Sequence, residues 1–304
     1  MTTPRTIDEY LTQLRAALHG ADPALIQDAL YDAEDHLRSE LAENPAKSEA
    51  EMLARIATTY GAPDEVAAIY VDKELQVEQA LRPPQPPTRR SAFGRFFGVA
   101  ADPRAYAALF YMLLSMATGI FYFTWTVVGV SLSIGLSILI IGIAFAVVFF
   151  GTVRVLSLVE GRLVEVMLGE RMPRRPLYAN TALPLRARIR EMFADPRTWS
   201  TLLYFVLMLP LGVVYFTLAV VGIVLSISFT LAPLAQVLWS IGLVRIDVLN
   251  QIDFNGTLLM PPALLDPLVL ALGITMLFGT LHLARGVGKF QGALAKSLLV
   301  KAPP

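Results

Sequence analysis

Cysteine is absent from these 304 residues, and histidine occurs three times. Without cysteine there can be no disulfide, thiolate metal site or thiol nucleophile. The histidines, His19, His36 and His282, are scattered, and no GxSxG, HExxH, phosphate-loop or GxGxxG stretch stands in a fitting context. The expectation is a protein that is not an enzyme, with no cofactor and no resident metal. Charge is also scarce, at 16% of residues against 55% apolar. That balance is too apolar for a soluble globule and points to membrane spans. The opening MTTPRTIDEY has no apolar run, so a cleaved secretory signal is not expected.

A formal net charge of zero hides a division. Residues 1–80 hold sixteen acids and six bases, and the remainder holds nine acids and nineteen bases. Between the two lies LRPPQPPTRRS, residues 81–91, whose prolines favour an extended spacer. The reading is all-α: a small cytoplasmic helical bundle plus a duplicated two-span helical-hairpin membrane domain. Its parts are an acidic head at 1–80, a Pro/Arg-rich linker at 81–100, a hairpin at 101–176, a basic connector at 177–193 and a second hairpin at 194–304. The second hairpin carries an extracytoplasmic insert at about 228–266.

The head is punctuated as helices. Thr6 with Glu9 and Ser48 with Glu51 have capping-box spacing, Asp22-Pro23 opens a helix, and Gly20 and Gly61 stop two. One-sided apolar stripes require the helices to pack together, with Val66, Ile69 and Tyr70 inward on the last. Asp32, Asp35, His36 and Glu40 have partial metal-ligand spacing. A solvated acidic flank with an Asp32–His36 i,i+4 pair accounts for them better, because no second helix offers a His or Cys partner.

The other part repeats itself. ADPR occurs at Ala101 and again at Ala194, and seventeen of the thirty-four positions in 101–134 are identical in 194–227. FGTVR at Phe150 is echoed by FGTLH at Phe278. This is an internal duplication of a two-span hairpin. Asp102-Pro103-Arg104 and Asp195-Pro196-Arg197 form a membrane-entry motif: the Asp caps, the Pro occupies the first turn, and the Arg snorkels. The turn of the first hairpin is expected near Gly129 to Gly135, and Pro210 is expected to kink the third span.

Bases concentrate before the first span, in residues 154–197 and in the tail, and the insert from Arg245 to Asp266 holds three Asp against one Arg. By the positive-inside rule both termini and the central loop are cytoplasmic and the insert lies outside. Residues 222–244 are apolar enough for another span. A helix on the outer leaflet with Trp239 at the interface keeps the repeat's parity better than a fifth span. Gly119, Gly129, Gly212 and Gly222 are expected at helix contacts. A sharper use of the region is a groove for a lipid-like ligand lined by Tyr122, Thr124, Tyr215 and Thr217. The plainer one makes these tyrosines interface anchors. Arg154 and His282, at matching span ends, read as snorkelling to headgroups.

The acidic DALYDAEDHL helix and the YGAPDEVAAIY turn-plus-helix resemble the HAAS domain, related to DUF1700 proteins. The stretches ADPRTWSTLLYFVLMLPLGVVYF and FGTLHLARGVGKFQGALAKSLL resemble the "Putative sensor" membrane domain of actinobacterial-type histidine kinases; no kinase-type nucleotide box occurs in these residues, so a transmitter module is not expected. The resemblances imply a multi-pass protein of the bacterial cytoplasmic membrane. It would report a membrane or envelope signal through its helical head to a cytoplasmic partner such as a PadR-type regulator, with no direct nucleic-acid contact. The competing class is a transporter or membrane-complex assembly subunit with a docking head. The charge division leaves two readings open: the acidic head docks reversibly on the basic loop 154–197, or its acidity serves only solubility and keeps it off anionic lipid.

Overall fold

The computed structural model describes residues 4–43, 48–81, 91–138, 140–175, 190, 193–241 and 262–300. Among them there are helices and no strand. The helices are α1 (Ile7–Ala17), α2 (Pro23–Glu43), α3 (Glu49–Thr59), α4 (Pro63–Leu81), α5 (Ala92–Phe97), α6 (Pro103–Gly135), α7 (Ile140–Leu168), α8 (Pro196–Ser240) and α9 (Pro262–Leu299). Most of the linker (82–90), most of the connector (176–189) and residues 242–261 of the insert lie outside the described residues, as does the Trp239 side chain.

The head follows its punctuation. Thr6 caps α1 by accepting from the Glu9 N–H, while the Glu9 carboxylate takes the N–H of Arg5 rather than that of Thr6. Ser48 and Glu51 form the complete capping box of α3. Gly20 and Gly61 turn the chain at φ 89° and 112°, where a side chain would be strained. Helix α1 packs on α2 and α4, and α2 also packs on α3 and α4. The shared core includes Tyr10, Leu14, Leu37, Met52 and Ile56, and the Tyr10 hydroxyl donates to the Gly61 carbonyl at 3.0 Å. Burial raises the pKa of that hydroxyl, so it stays a protonated donor. Ile69 differs from expectation: it is 48% exposed, and Ala67 takes the inward place on α4.

Four helical segments have the length and apolarity to cross a membrane: Pro103–Ile138, Ala144–Leu168, Pro196–Leu238 and Leu265–Leu299. Between 22% and 33% of each apolar window is buried within the chain. Phe110, Ile134, Ile138 and Val148 are among the exposed apolar side chains. Apolar surface this continuous needs a lipid cover.

Two expectations about span limits are corrected. The first hairpin does not turn at Gly129–Gly135. Helix α6 continues to Gly135, where a 3₁₀ turn (Leu136–Ile138) leads towards α7. Gly129 lies in the helix, beside the Phe149 ring. The glycine that the turn needs is Gly142, where a Cβ would strike the Leu136 carbonyl. Residues 222–240 form neither a separate surface helix nor a fifth span. They continue α8 unbroken through Pro210 and Pro233. At 1.5 Å per residue its 45 residues reach roughly 67 Å, over twice the ~30 Å hydrocarbon core. An N–H lost at each proline has not ended the helix, because intrahelical bonds on either side persist.

Packing divides the chain into two compact units. One comprises Met1–Gln85, Thr124–Val206 and Gly292–Pro304; the other comprises Pro86–Phe123 and Leu207–Gln291. In the second unit α6 and α8 meet backbone to backbone. A Cβ on Gly119 would strike the Met208 carbonyl, and one on Gly212 would strike the Ser115 carbonyl. Ser115 and Met208 occupy equivalent repeat positions, as do the two glycines, so this crossing carries a local twofold symmetry written in the sequence. Gly222 is similarly covered by the Thr280 side chain.

Candidate functional site

The entry motif is built alike in both repeats. Asp102 Oδ1 accepts the Arg104 N–H, and Asp195 Oδ1 accepts the Arg197 N–H, each at 3.1 Å, with proline at the first helical position. The aromatic residue two positions after each arginine reaches back to a carbonyl: Tyr106 Oη donates to Ala100 at 2.9 Å, and Trp199 Nε1 to Phe193 at 3.0 Å. These capping and clasp bonds fix how each helix starts.

Where α7 ends, the chain supplies a binding surface for the head. Gly169, at φ 76°, terminates α7, and its N–H donates to the Glu165 carbonyl. The next residues, Glu170–Arg175, run without helix or strand. Met172 is fully buried, which anchors this strap in the packing. The strap therefore presents backbone N–H groups and three arginines together.

The start of α2 faces the strap. Asp28, 6% exposed, accepts the N–H groups of Arg174 and Arg175 at 2.8 and 2.9 Å. Its other oxygen lies 3.4 Å from the Arg171 guanidinium, which also pairs with Glu74 of α4. Gln27 Nε2 donates to the Arg175 carbonyl at 2.9 Å, while its Oε1 accepts from Arg197 at 2.7 Å. Asp32 accepts from Tyr70 and pairs with Arg175 Nε, both at 3.0 Å. Asp22 pairs with Lys296 at 2.5 Å. The head thus holds the strap, the first turn of α8 and the end of α9.

Not all these contacts weigh equally. Arg175 is half exposed, so its ion pair with Asp32 is screened and contributes at most ~1 kcal/mol. Asp28 is different: hydrogen bonds to a charged acceptor contribute about 1.5–3 kcal/mol each. Burial raises the Asp28 carboxyl above the ordinary aspartate value, opposed by the Arg175 and Arg174 N–H groups and then by the Arg171 charge. Asp28 is therefore the acid that must remain in contact once buried.

Three of the four suggested metal ligands have other partners. Asp32 is engaged as above, His36 stacks on Tyr60 with ring centroids 4.5 Å apart, and Glu40 pairs with Arg55. The acidic flank is thus partly an interface rather than a wholly solvated face. The four suggested ligand residues divide. Tyr122 and Tyr215 are buried, while Thr124 and Thr217 are exposed. Residues two apart on a helix point to different faces, so these four do not line one groove. Tyr215 donates to Gln291 at 3.0 Å, and Thr217 bonds its own helix at Val213.

Polar groups that the sequence reading passed over occupy span interiors. Gln291, fully buried, accepts from Tyr215 and donates to the Tyr111 hydroxyl at 3.2 Å. Glu160, also fully buried, accepts from Tyr204 at 2.8 Å. Tyr111 and Tyr204 are repeat equivalents. Glu160 was detectable because Val153, Ser157, Glu160 and Val164 form one helical stripe and all are buried.

Two stretches of the chain match known families. Residues 111–299 match the family described as Putative sensor, and residues 9–69 match HAAS. Since the first match takes in more than half of the chain, the chain belongs to the Putative sensor family, with a HAAS domain preceding the spans. It is a multi-pass membrane protein of the sensor type. No curated protein and no solved structure matches it.

Proposed function

We propose that this protein senses a membrane or envelope signal in a bacterial cytoplasmic membrane and reports it by releasing its HAAS head from the strap. The report is a change of contact, with no catalytic step. The observation that carries the reading is the grip of Asp28 on the Arg174 and Arg175 backbone, supplemented by arginine and lysine pairs around it. The Arg175–Asp32 and Lys296–Asp22 pairs join groups that keep some exposure, so they add little to the Asp28 contact and a small rearrangement of the spans shifts the balance. Release uncovers Gln27, Asp28 and Asp32 for a cytoplasmic protein, and the HAAS resemblance points to a PadR-type regulator. The distribution of bases supports cytoplasmic termini.

The test compares full-length wild type with Arg171→Ala, which loosens the strap's hold on Asp28 and Glu74 and leaves the head surface intact, in detergent for binding of a PadR-type regulator from the same cell. The account expects stronger binding to the variant, whose head is released. Equal binding to both proteins would refute a report made through the Asp28 contact.

A further inference from the structure

A small, partly open cleft lies where α8 begins against α7. Its polar lining is Arg154, Ser157, Asp195, Arg197, Thr198 and Thr201, with apolar side chains of α7 beside them.

The charges in the cleft do not balance internally. Two guanidiniums face one carboxylate: Asp195 attracts Arg197, Arg154 repels it, and one positive charge is left over. Asp195 is committed to capping α8 through the Arg197 N–H. Arg197 reaches Gln27, a neutral partner. Arg154 has no hydrogen-bond or ion-pair partner among the described residues, although it lies within an apolar span and is half-buried. Ser157 is spent on the Arg154 carbonyl. An ionisable group inside a span marks a binding site more often than a structural accident. Paired guanidiniums with a threonine hydroxyl beside them match a tetrahedral oxyanion, which each fork can meet with two parallel N–H bonds.

We propose that this cleft binds a phosphate group between Arg154 and Arg197, with Thr201 as a further donor. The same chemistry is offered by a phospholipid headgroup and by free phosphate. The inference deepens the sensor reading, because Arg197 is also a head contact. A phosphate that draws Arg197 towards Arg154 competes with Gln27 for it. The site itself stands on the cleft and its charges, so its test reads binding directly and stays separate from head release.

Full-length protein in dodecyl maltoside is titrated with dioleoyl phosphatidylglycerol and, separately, with inorganic phosphate, and adducts are counted by native mass spectrometry. Arg154→Gln should weaken binding at least ~10-fold. Arg154→Lys, which keeps the charge but not the fork, should fall between the two. Lys289→Gln, an exposed base elsewhere, should leave binding within about twofold of wild type. Thermal melts of each variant separate lost binding from lost folding; Thr201→Val supplies a second, smaller perturbation if Arg154→Gln does not fold. Binding of the lipid that millimolar phosphate does not displace assigns the headgroup as the source. Binding of phosphate alone, lost in Arg154→Gln, assigns the free ion. Equal losses in Arg154→Gln and Lys289→Gln, or no loss in either, would overturn the site.

Discussion

Adding one methyl group at Gly119 tests the repeat symmetry at its tightest point. A Cβ there falls on the Met208 carbonyl, which belongs to a helix backbone and cannot rotate away. Helices α6 and α8 must separate, and overpacking of this kind costs about 1–3 kcal/mol. Against this, alanine is the better helix former by up to ~1 kcal/mol. Gly279 isolates that second effect, since a Cβ added there meets nothing within 4 Å. Gly279→Ala should therefore be neutral or slightly stabilising. The contrast between Gly119→Ala and Gly279→Ala should be about 1–3 kcal/mol, or roughly 2–12 °C at ~2–4 °C per kcal/mol. Gly212→Ala, which strikes Ser115, should match Gly119→Ala in size. The double variant should cost less than the sum, because a helix pair already pushed apart accommodates the second methyl more easily. The assay is thermal unfolding in one detergent, followed by the loss of the monodisperse peak. If Gly119→Ala melts with Gly279→Ala, the backbone crossing is not where the structure places it.

Three other outcomes are expected. Burial raises the pKa of Asp28 in the docked head, so that state holds a proton more firmly than a released one does. Acidification then relieves a penalty, so the Asp28 contribution should strengthen docking as the pH falls towards the carboxylate range. Asp28→Asn should abolish that slope in a pH series of head–strap crosslinking, and an unchanged slope would assign it to another group. Tyr204→Phe removes the donor to buried Glu160 and should destabilise the protein by about 1–3 kcal/mol, while Tyr106→Phe, whose hydroxyl is exposed, should cost markedly less in the same melts. Cysteines introduced at Asn255 and Ser297 of this cysteine-free chain should label from opposite sides of the membrane, and labelling of both from outside would contradict the four-span topology.

What the sequence disclosed was what local rules govern. Caps at Thr6 and Ser48, stops at Gly20 and Gly61, and the doubled Asp-Pro-Arg all act within a few residues of themselves, so spacing exposes them. The duplication further implied that Gly119 and Gly212 occupy equivalent places. Features set by partners distant in the chain were not legible. Gln27 and Asp28 look like surface polar residues until the strap more than 140 positions away covers them. Tyr122 and Thr124 were grouped because they are neighbours in the chain, although helical geometry sends them to different faces. The extent of α8 was misread because hydropathy sums over 222–240 cannot distinguish a separate apolar segment from the overlong end of a span. Charge, by contrast, reaches across distance: the acid excess of the head and the base excess of residues 154–197 left docking as one of two readings, and the strap contacts of Asp28 and Asp32 favour it.

The central claim is that the head rests on the Glu170–Arg175 strap and can leave it. Pulsed EPR between spin labels on cysteines at Thr12 and Ser297, both exposed, measures this most directly. At low ionic strength the account predicts a single narrow distance distribution. Raising salt to 1 M, where screening shortens to ~3 Å, should populate longer distances, and Asp28→Ala should do so even at low salt. A distribution that is broad at low salt, or one that neither salt nor Asp28→Ala alters, would contradict it.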